Sequence, residues 1–325
     1  MNFTQAKLTK PGLFEYFEEK VPALNFNDVL IKVTASGICS SEIPFFTGES
    51  VCSPKEFNKY ASYPAPLGHE VVGDVIKFGE GVSKFKVGDR VTGITTTGSG
   101  FSSYYIEKEH NLILVPSSVK NIHALGEPIM CTMNILRSCK PEIGDSCLVV
   151  GDGFMSLLLL SLLVRYPFKK IILVGMNEKK LNLAVKIGAT HIVSINDEDP
   201  YIFLEKMNGK DNFDICIDLA GNMKALSVAA WAVKPSKGRL VIPSYYHTNE
   251  AFSIGGYLMR KGPNLIPAHP AYSNDIKDDL VRGIESLKSG HFPMSKLVTH
   301  TFDFLNLNEA FEFASSKPND YIKGV

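Results

Sequence analysis

The chain has 325 residues, more than one hydrophobic core usually organises, so two domains of roughly 100 to 200 residues each are expected. Lysine plus arginine (34) equals aspartate plus glutamate (34), which gives no electrostatic reason to expect nucleic acid or an anionic membrane as partner and favours a small, weakly charged ligand. Residues 1–10 lack the apolar core of a secretory signal, the six cysteines (Cys39, Cys52, Cys131, Cys139, Cys147, Cys216) are scattered as reduced thiols would be, and the apolar run 155–164 is well short of the roughly 18 to 20 residues of a membrane helix. The expectation is a cytoplasmic enzyme, with 155–164 a buried helix.

In chain order, residues 28–93 read as β-structure: Val29-Leu30-Ile31-Lys32-Val33 and Val71-Val72-Gly73-Asp74-Val75-Ile76 are separated by turns rich in Gly79, Gly81, Gly88 and Asp89. The rhythm changes near 125–145. From 146 it runs strand 147–150, helix 154–165, strand 170–174, helix 178–187, strand Ile192-Val193-Ser194, strand 213–219, helix 224–233 and strand 239–242. Such alternation predicts an α/β, Rossmann-type doubly wound parallel sheet, because parallel neighbours need a crossover element. The last segment reads as helix 277–289, a strand near 297–302, helix 308–316 and a terminal strand. On pattern alone it could complete either domain.

Between the strand 147–150 and its helix lies Gly151-Asp152-Gly153-Phe154-Met155-Ser156, a dinucleotide fingerprint with serine in place of its third glycine. Gly151 serves the tight turn and Gly153 lets backbone approach a pyrophosphate at a helix N-terminus. Asp152 is awkward beside a diphosphate and is expected to point away. Roughly 20 residues on, where an acidic residue would bind the ribose of NAD, stands Gly175, followed by Asn177, Lys179 and Lys180. This predicts room for a 2′-phosphate and NADP(H) favoured over NAD(H). The competing reading makes the lysines a solvated helix face and gives the ribose to Glu178.

Three stretches carry potential metal ligands: Gly37-Ile38-Cys39-Ser40-Ser41-Glu42, Gly68-His69-Glu70 and Gly126-Glu127-Pro128. A thiolate, an imidazole and carboxylates suit tetrahedral zinc with one position left for water or substrate. Alone, each is weak, since a lone cysteine is usually core. Together with Pro66-Leu67-Gly68-His69-Glu70-Val71-Val72-Gly73, Phe85-Lys86-Val87-Gly88-Asp89-Arg90-Val91 and Ile187-Gly188-Ala189, the chain resembles the zinc-containing medium-chain dehydrogenase/reductase (alcohol dehydrogenase) family over nearly its whole length.

The resemblance implies a mainly β, GroES-like catalytic domain made of residues 1–129 and 269–325, with a dinucleotide-binding domain of residues 130–268 inserted. It implies that Cys39 and His69 are zinc ligands, that Glu70 is a neighbouring or alternating ligand, and that Glu127 holds the remaining position, with Cys131 as rival. Glu127-Pro128 looks like the polyol and sugar dehydrogenase branch. Ser41 matches the hydroxyl that bonds the substrate oxygen, and Glu42 the acidic residue behind the first ligand; Pro44 stands where a relay histidine is common. Residues 92–105 contain no cysteine, so one catalytic zinc per chain and no structural zinc are expected. Gly151, Gly153, Phe154, Met155 and Ala220 match cofactor contacts, while Pro243-Ser244-Tyr245-Tyr246-His247 departs from the family near the nicotinamide pocket.

The activity implied is hydride transfer between NAD(P) and a secondary alcohol or ketone, a polyol, sugar or cyclitol, in a homo-oligomer, a dimer or tetramer. Alternatives are a zinc-free quinone or enone reductase and a catalytically silent nucleotide-binding protein. Loops 45–63 and 269–272 are expected to shape the substrate pocket.

Overall fold

Alternating apolar and polar residues build the first third as antiparallel strands. A computed structural model describes residues 1–49, 63–96, 98–208, 212–246 and 254–325; Cys52, His247 and most of loop 45–63 lie outside the described residues. Strands β1 (Asn2–Lys10) and β2 (Leu13–Lys20) form a hairpin. Strands β3 (Asp28–Ser36), β4 (Val71–Phe78), β5 (Arg90–Gly93), β6 (Tyr104–Lys108) and β7 (Leu112–Leu114) form an antiparallel sheet in the order β6-β3-β4-β5-β7, with the short helix α1 (Ile43–Thr47) after β3. Val29, Ile31, Val71, Val75, Val91 and Tyr105 pack together as its core.

Helix α2 (Gly126–Cys139) leads into a wholly parallel sheet. Its parts are β8 (Ser146–Val150), α3 (Phe154–Leu163), β9 (Lys170–Gly175), α4 (Glu178–Ile187), β10 (His191–Ser194), α5 (Pro200–Asn208), β11 (Ile215–Asp218), α6 (Met223–Ala232), β12 (Arg239–Ile242), α7 (Gly255–Lys261) and β13 (Asn264–Pro267). The strand order β10-β9-β8-β11-β12-β13 reverses direction between β8 and β11, and ligands of such sheets bind outside the strand C-termini at that switch.

The strands are continuous apolar runs because both faces are covered. Cys147, Val149, Ile171 and Leu173 join the core with α2 and α3, whereas Leu148, Val150, Ile172 and Val174 face Leu226, Ala229 and Ala230 of α6. The run predicted as a buried helix is α3, in which every residue but Met155 is buried. None of the described helices is long and apolar enough to cross a membrane.

The remaining elements are α8 (Ile276–Lys288), α9 (Met294–Leu297), β14 (Val298–His300), α10 (Leu307–Ser315) and β15 (Lys323–Gly324). Helix α8 packs on α2, where Arg137 reaches Asp278 at 2.9 Å and Asp279 at 2.5 Å. Helix α10 returns to the N-terminal segment: the ring of Phe311 lies 4.9 Å from that of Phe14, 5.3 Å from Phe46 and 5.6 Å from Phe101. The end of the chain therefore packs on its beginning.

Phe311 is fully buried at the centre of these rings. Its truncation opens a cavity that four separate segments must tolerate. Phe311→Ala is expected to lower stability by about 3–5 kcal/mol, measured by urea unfolding. A loss below about 1 kcal/mol would mean the rings do not clamp the two ends together.

Candidate metal and dinucleotide site

The first feature of the site is Cys39, just past β3 and immediately before a single tight turn, Ser40–Glu42. Glu42 turns back into the protein, where it is buried. Its Oε2 accepts the Cys39 amide at 3.3 Å, and its Oε1 accepts the Gly68 amide at 2.7 Å and lies 3.0 Å from His69 Nδ1. One carboxylate thus fixes the approach of two segments. It also leaves Nε2 as the imidazole nitrogen free to bind elsewhere. Gly68 makes this possible, because its φ is +96° and an added Cβ would stand 2.5 Å from the Phe101 amide nitrogen.

Glu70 opens the strand β4 and is almost wholly buried. Its Oε1 accepts from Lys323 Nζ at 2.6 Å, while its Oε2 is buried with no hydrogen-bond partner among the described residues. Cys39, His69 and Glu70 each offer one ligand atom, and those atoms lie within 4.8 Å of one another. A sulfur, an imidazole nitrogen and an orphaned carboxylate oxygen at this separation fit a zinc ion. Burial alone disfavours the His69 imidazolium, but the Glu42 carboxylate and the Cys39 sulfur beside it outweigh that and raise its pKa well above the usual value.

Glu127, in the first turn of α2, stands beside this trio and not within it. Its Oε1 accepts from Cys131 Sγ at 3.1 Å. Burial pushes the Glu127 carboxyl up against the opposing pull of His69, and burial and the Glu127 charge push the Cys131 thiol well above its ordinary value. Cys131 is therefore a donor to Glu127. Ser41 lies on the same turn as Cys39, and its hydroxyl donates to Cys39 Sγ at 3.2 Å.

The dinucleotide side is formed at the β8–β11 switch. Gly151 has φ of +117°, and a Cβ there would meet the Ala220 amide nitrogen at 2.9 Å, so the two loops touch. Around Gly153 a Cβ would find nothing within 4 Å, which leaves backbone open to a ligand at the uncapped N-terminus of α3. Ser156, in place of the third glycine, is fully buried against the sheet. This open cradle fits a pyrophosphate. Phe154, the first residue of α3, lies beneath Lys323 Nζ, 4.9 Å from the ring centroid. That contact joins the two halves of the site.

Comparisons with known proteins agree with this geometry. Residues 25–126 match the model of the alcohol dehydrogenase GroES-like domain, and residues 156–285 match that of the zinc-binding dehydrogenase. The chain belongs to the zinc-type medium-chain alcohol/polyol dehydrogenases. This dehydrogenase is 25% identical to the zinc-type alcohol dehydrogenase-like protein YdjJ of Escherichia coli (strain K12), with 100% of this chain and 99% of that protein covered. It is 26% identical to sorbitol dehydrogenase of Bacillus subtilis (strain 168), with 93% and 91% covered. Among solved structures, an oxidoreductase/dehydrogenase of unknown specificity from Escherichia coli superposes with a TM-score of 0.88 at 24% identity, covering 100% and 98% of the two chains, a likeness of fold.

Two features of the dehydrogenase have no signal in its sequence. Lys323, third from the end of the chain, also donates to Ile38 O at 2.8 Å and carries its charge fully buried, since Glu70 and Cys39 outweigh the burial that disfavours it. The other is a latch at the β11 end. Tyr246 OH donates to the buried Asp218 carboxylate, Ser244 Oγ donates to Asp218 O at 2.9 Å, and the Ala220 amide donates to Asp218 Oδ1 at 3.0 Å. The latch ties down the loop whose sequence departs from the family.

Lys323→Met would leave Glu70 buried without its cation. In protein stripped of metal, stability at pH 7 is expected to fall by about 3–5 kcal/mol, and the double change with Glu70→Gln to recover much of it. If the two changes simply add, the ion pair is not a coupled unit.

Proposed function

We propose that the dehydrogenase holds one zinc ion per chain on Cys39 and His69, with Glu70 a neighbouring or alternating ligand and Glu127 at the remaining protein position so that one place stays open to water or substrate, and that it transfers hydride between a nicotinamide dinucleotide and a secondary alcohol or ketone. The supporting observation is the trio itself, closed by the orphaned oxygen of Glu70 and placed against the fingerprint helix. A zinc ion there supplies Lewis acidity toward an alcohol or carbonyl oxygen, and a bound nicotinamide supplies the hydride donor or acceptor. The remaining work belongs to the chain.

Glu42 holds His69 by its Nδ1 and so presents Nε2. Ser41, whose hydroxyl here donates to Cys39 Sγ, is placed to exchange a proton with the substrate oxygen. With Pro44 beyond it, no histidine continues that path on the same turn, so water, a ribose hydroxyl or another side chain takes the proton onward. In this reading residues 1–129 and 269–325 form the catalytic unit around the dinucleotide-binding unit 130–268. Glu127-Pro128 and the sorbitol dehydrogenase likeness favour a polyol, sugar or cyclitol. The edge strand β13, with Leu265 46% exposed, offers the face for a second copy in a dimer or tetramer. The NADP(H) preference read from Gly175, Asn177, Lys179 and Lys180 meets an opposing carboxylate, treated below.

Metal analysis of the purified protein is expected to give about one zinc per chain, lost in Cys39→Ser and His69→Ala together with turnover of secondary alcohols and polyols. Glu42→Gln is expected to keep the fold while lowering zinc affinity or activity about 10- to 100-fold. Turnover of enones by metal-free protein would favour the quinone reductase reading. Bound zinc and cofactor with no turnover across alcohols, polyols and ketones would favour the silent one.

A further inference from the structure

Asp152 stands between the two fingerprint glycines, yet its carboxylate turns toward the end of β9. Its Oδ2 accepts the amides of Met176 and Asn177, each at 2.7 Å. There it fills the space that a side chain at position 175 would need. A Cβ built on Gly175 would stand 2.6 Å from both Asp152 Cβ and Oδ2. In sheets of this kind the acid that reads the adenosine ribose projects from the end of the second strand, which here is Gly175. The carboxylate missing from β9 itself is thus present beside its end, supplied by the neighbouring loop. The two arrangements exclude each other sterically, which accounts for glycine at 175.

Of the groups expected to welcome a 2′-phosphate, Asn177 is otherwise committed. Asn177 Oδ1 accepts the Lys180 amide at 3.1 Å as the cap of α4, and its Nδ2 donates to Asn319 O at 3.0 Å. Lys179 is exposed. Lys180 is partly buried, and burial together with Lys317 lowers its pKa despite the attraction of Asp152. Asp152 Oδ1, by contrast, accepts no hydrogen bond from the described residues.

We infer that Asp152 is the acceptor for the adenosine-ribose hydroxyls and the residue that turns the site toward NAD(H) by repelling a 2′-phosphate. The inference rests on the dinucleotide reading above and reverses the NADP(H) preference drawn from sequence. A carboxylate facing a phosphate is a like-charge contact, which is strongly unfavourable in a partly dry site.

Calorimetric titration of the full-length protein with 5′-AMP and with 2′,5′-ADP isolates this half of the cofactor from zinc and from turnover. Wild type is expected to bind 5′-AMP about ten-fold or more tightly than 2′,5′-ADP. Asp152→Asn, which keeps an oxygen for the two amides, and Asp152→Ser are both expected to shrink or invert that ratio. The ratio of kcat/KM for NADH and NADPH should move likewise, through KM and not kcat. Tighter binding of 2′,5′-ADP by wild type, or an unchanged ratio in both variants, overturns the inference while leaving the dinucleotide reading intact. Binding of neither nucleotide, or of neither dinucleotide, overturns both.

Discussion

The site depends on one interaction, the ion pair between Glu70 and Lys323, both taken almost entirely out of water. Such a pair recovers its desolvation cost only when its geometry is good and the leftover donors and acceptors are used. Here the leftover donors of Lys323 go to Ile38 O and to the face of Phe154, whereas Glu70 keeps one oxygen unused. A buried carboxylate oxygen with nothing to accept is expensive. Its placement beside Cys39 and His69 is the reason to read it as a ligand, because a site that only stabilised the fold would have used both oxygens.

Glu42 plays a complementary part. It is buried like Glu70, but both of its oxygens are occupied, by the Cys39 and Gly68 amides and by His69. The two acids therefore divide their work: Glu42 orients Cys39 and His69, and Glu70 keeps an oxygen beside them. Neither part follows from residue type, since both are buried glutamates within three residues of Cys39 or His69.

That limit shows how far the sequence could be read. Helix α4 falls on the residues predicted for it, Glu178–Ile187, because Asn177 caps it and Gly188 ends it. Strands β8, β9 and β12 also fall where their apolar runs placed them, since a strand covered on both faces has little polar interruption. The β1–β2 hairpin was not visible. Its second strand mixes Glu15, Glu18, Glu19 and Lys20 with aromatics, and it is held by pairing with β1 and by the single buried ring of Phe14. Helix α2 was read only as a boundary, and it is the element that carries Glu127 and Cys131. Cys39, His69 and Glu70, which the fold brings within 4.8 Å of one another, could be picked out in the sequence because each stands in a local motif. Lys323 was not, because its partner Glu70 is more than 250 residues away and no local pattern marks a long-range ion pair.

The same long-range logic explains how the Cys39–His69–Glu70 cluster and the fingerprint helix α3 are held relative to one another. The last nine residues touch both: Asn319 bonds the cap of the cofactor helix α4, Lys323 lies on the first residue of α3 and pairs with Glu70, and Gly324 O accepts the Ile38 amide next to Cys39 at 3.0 Å. Behind them, the Phe302 amide donates to Val325 O and the Val325 amide to His300 O, which fixes the segment to its own fold. A hydride passes only when two carbons are held within contact distance, so the relative position of metal and pyridine ring must be set by something that reaches both. In this chain that reach comes from one short strand and its flanks, and the buried charge of Lys323 makes its seating strict, because any displacement strands an ammonium away from both carboxylate and water.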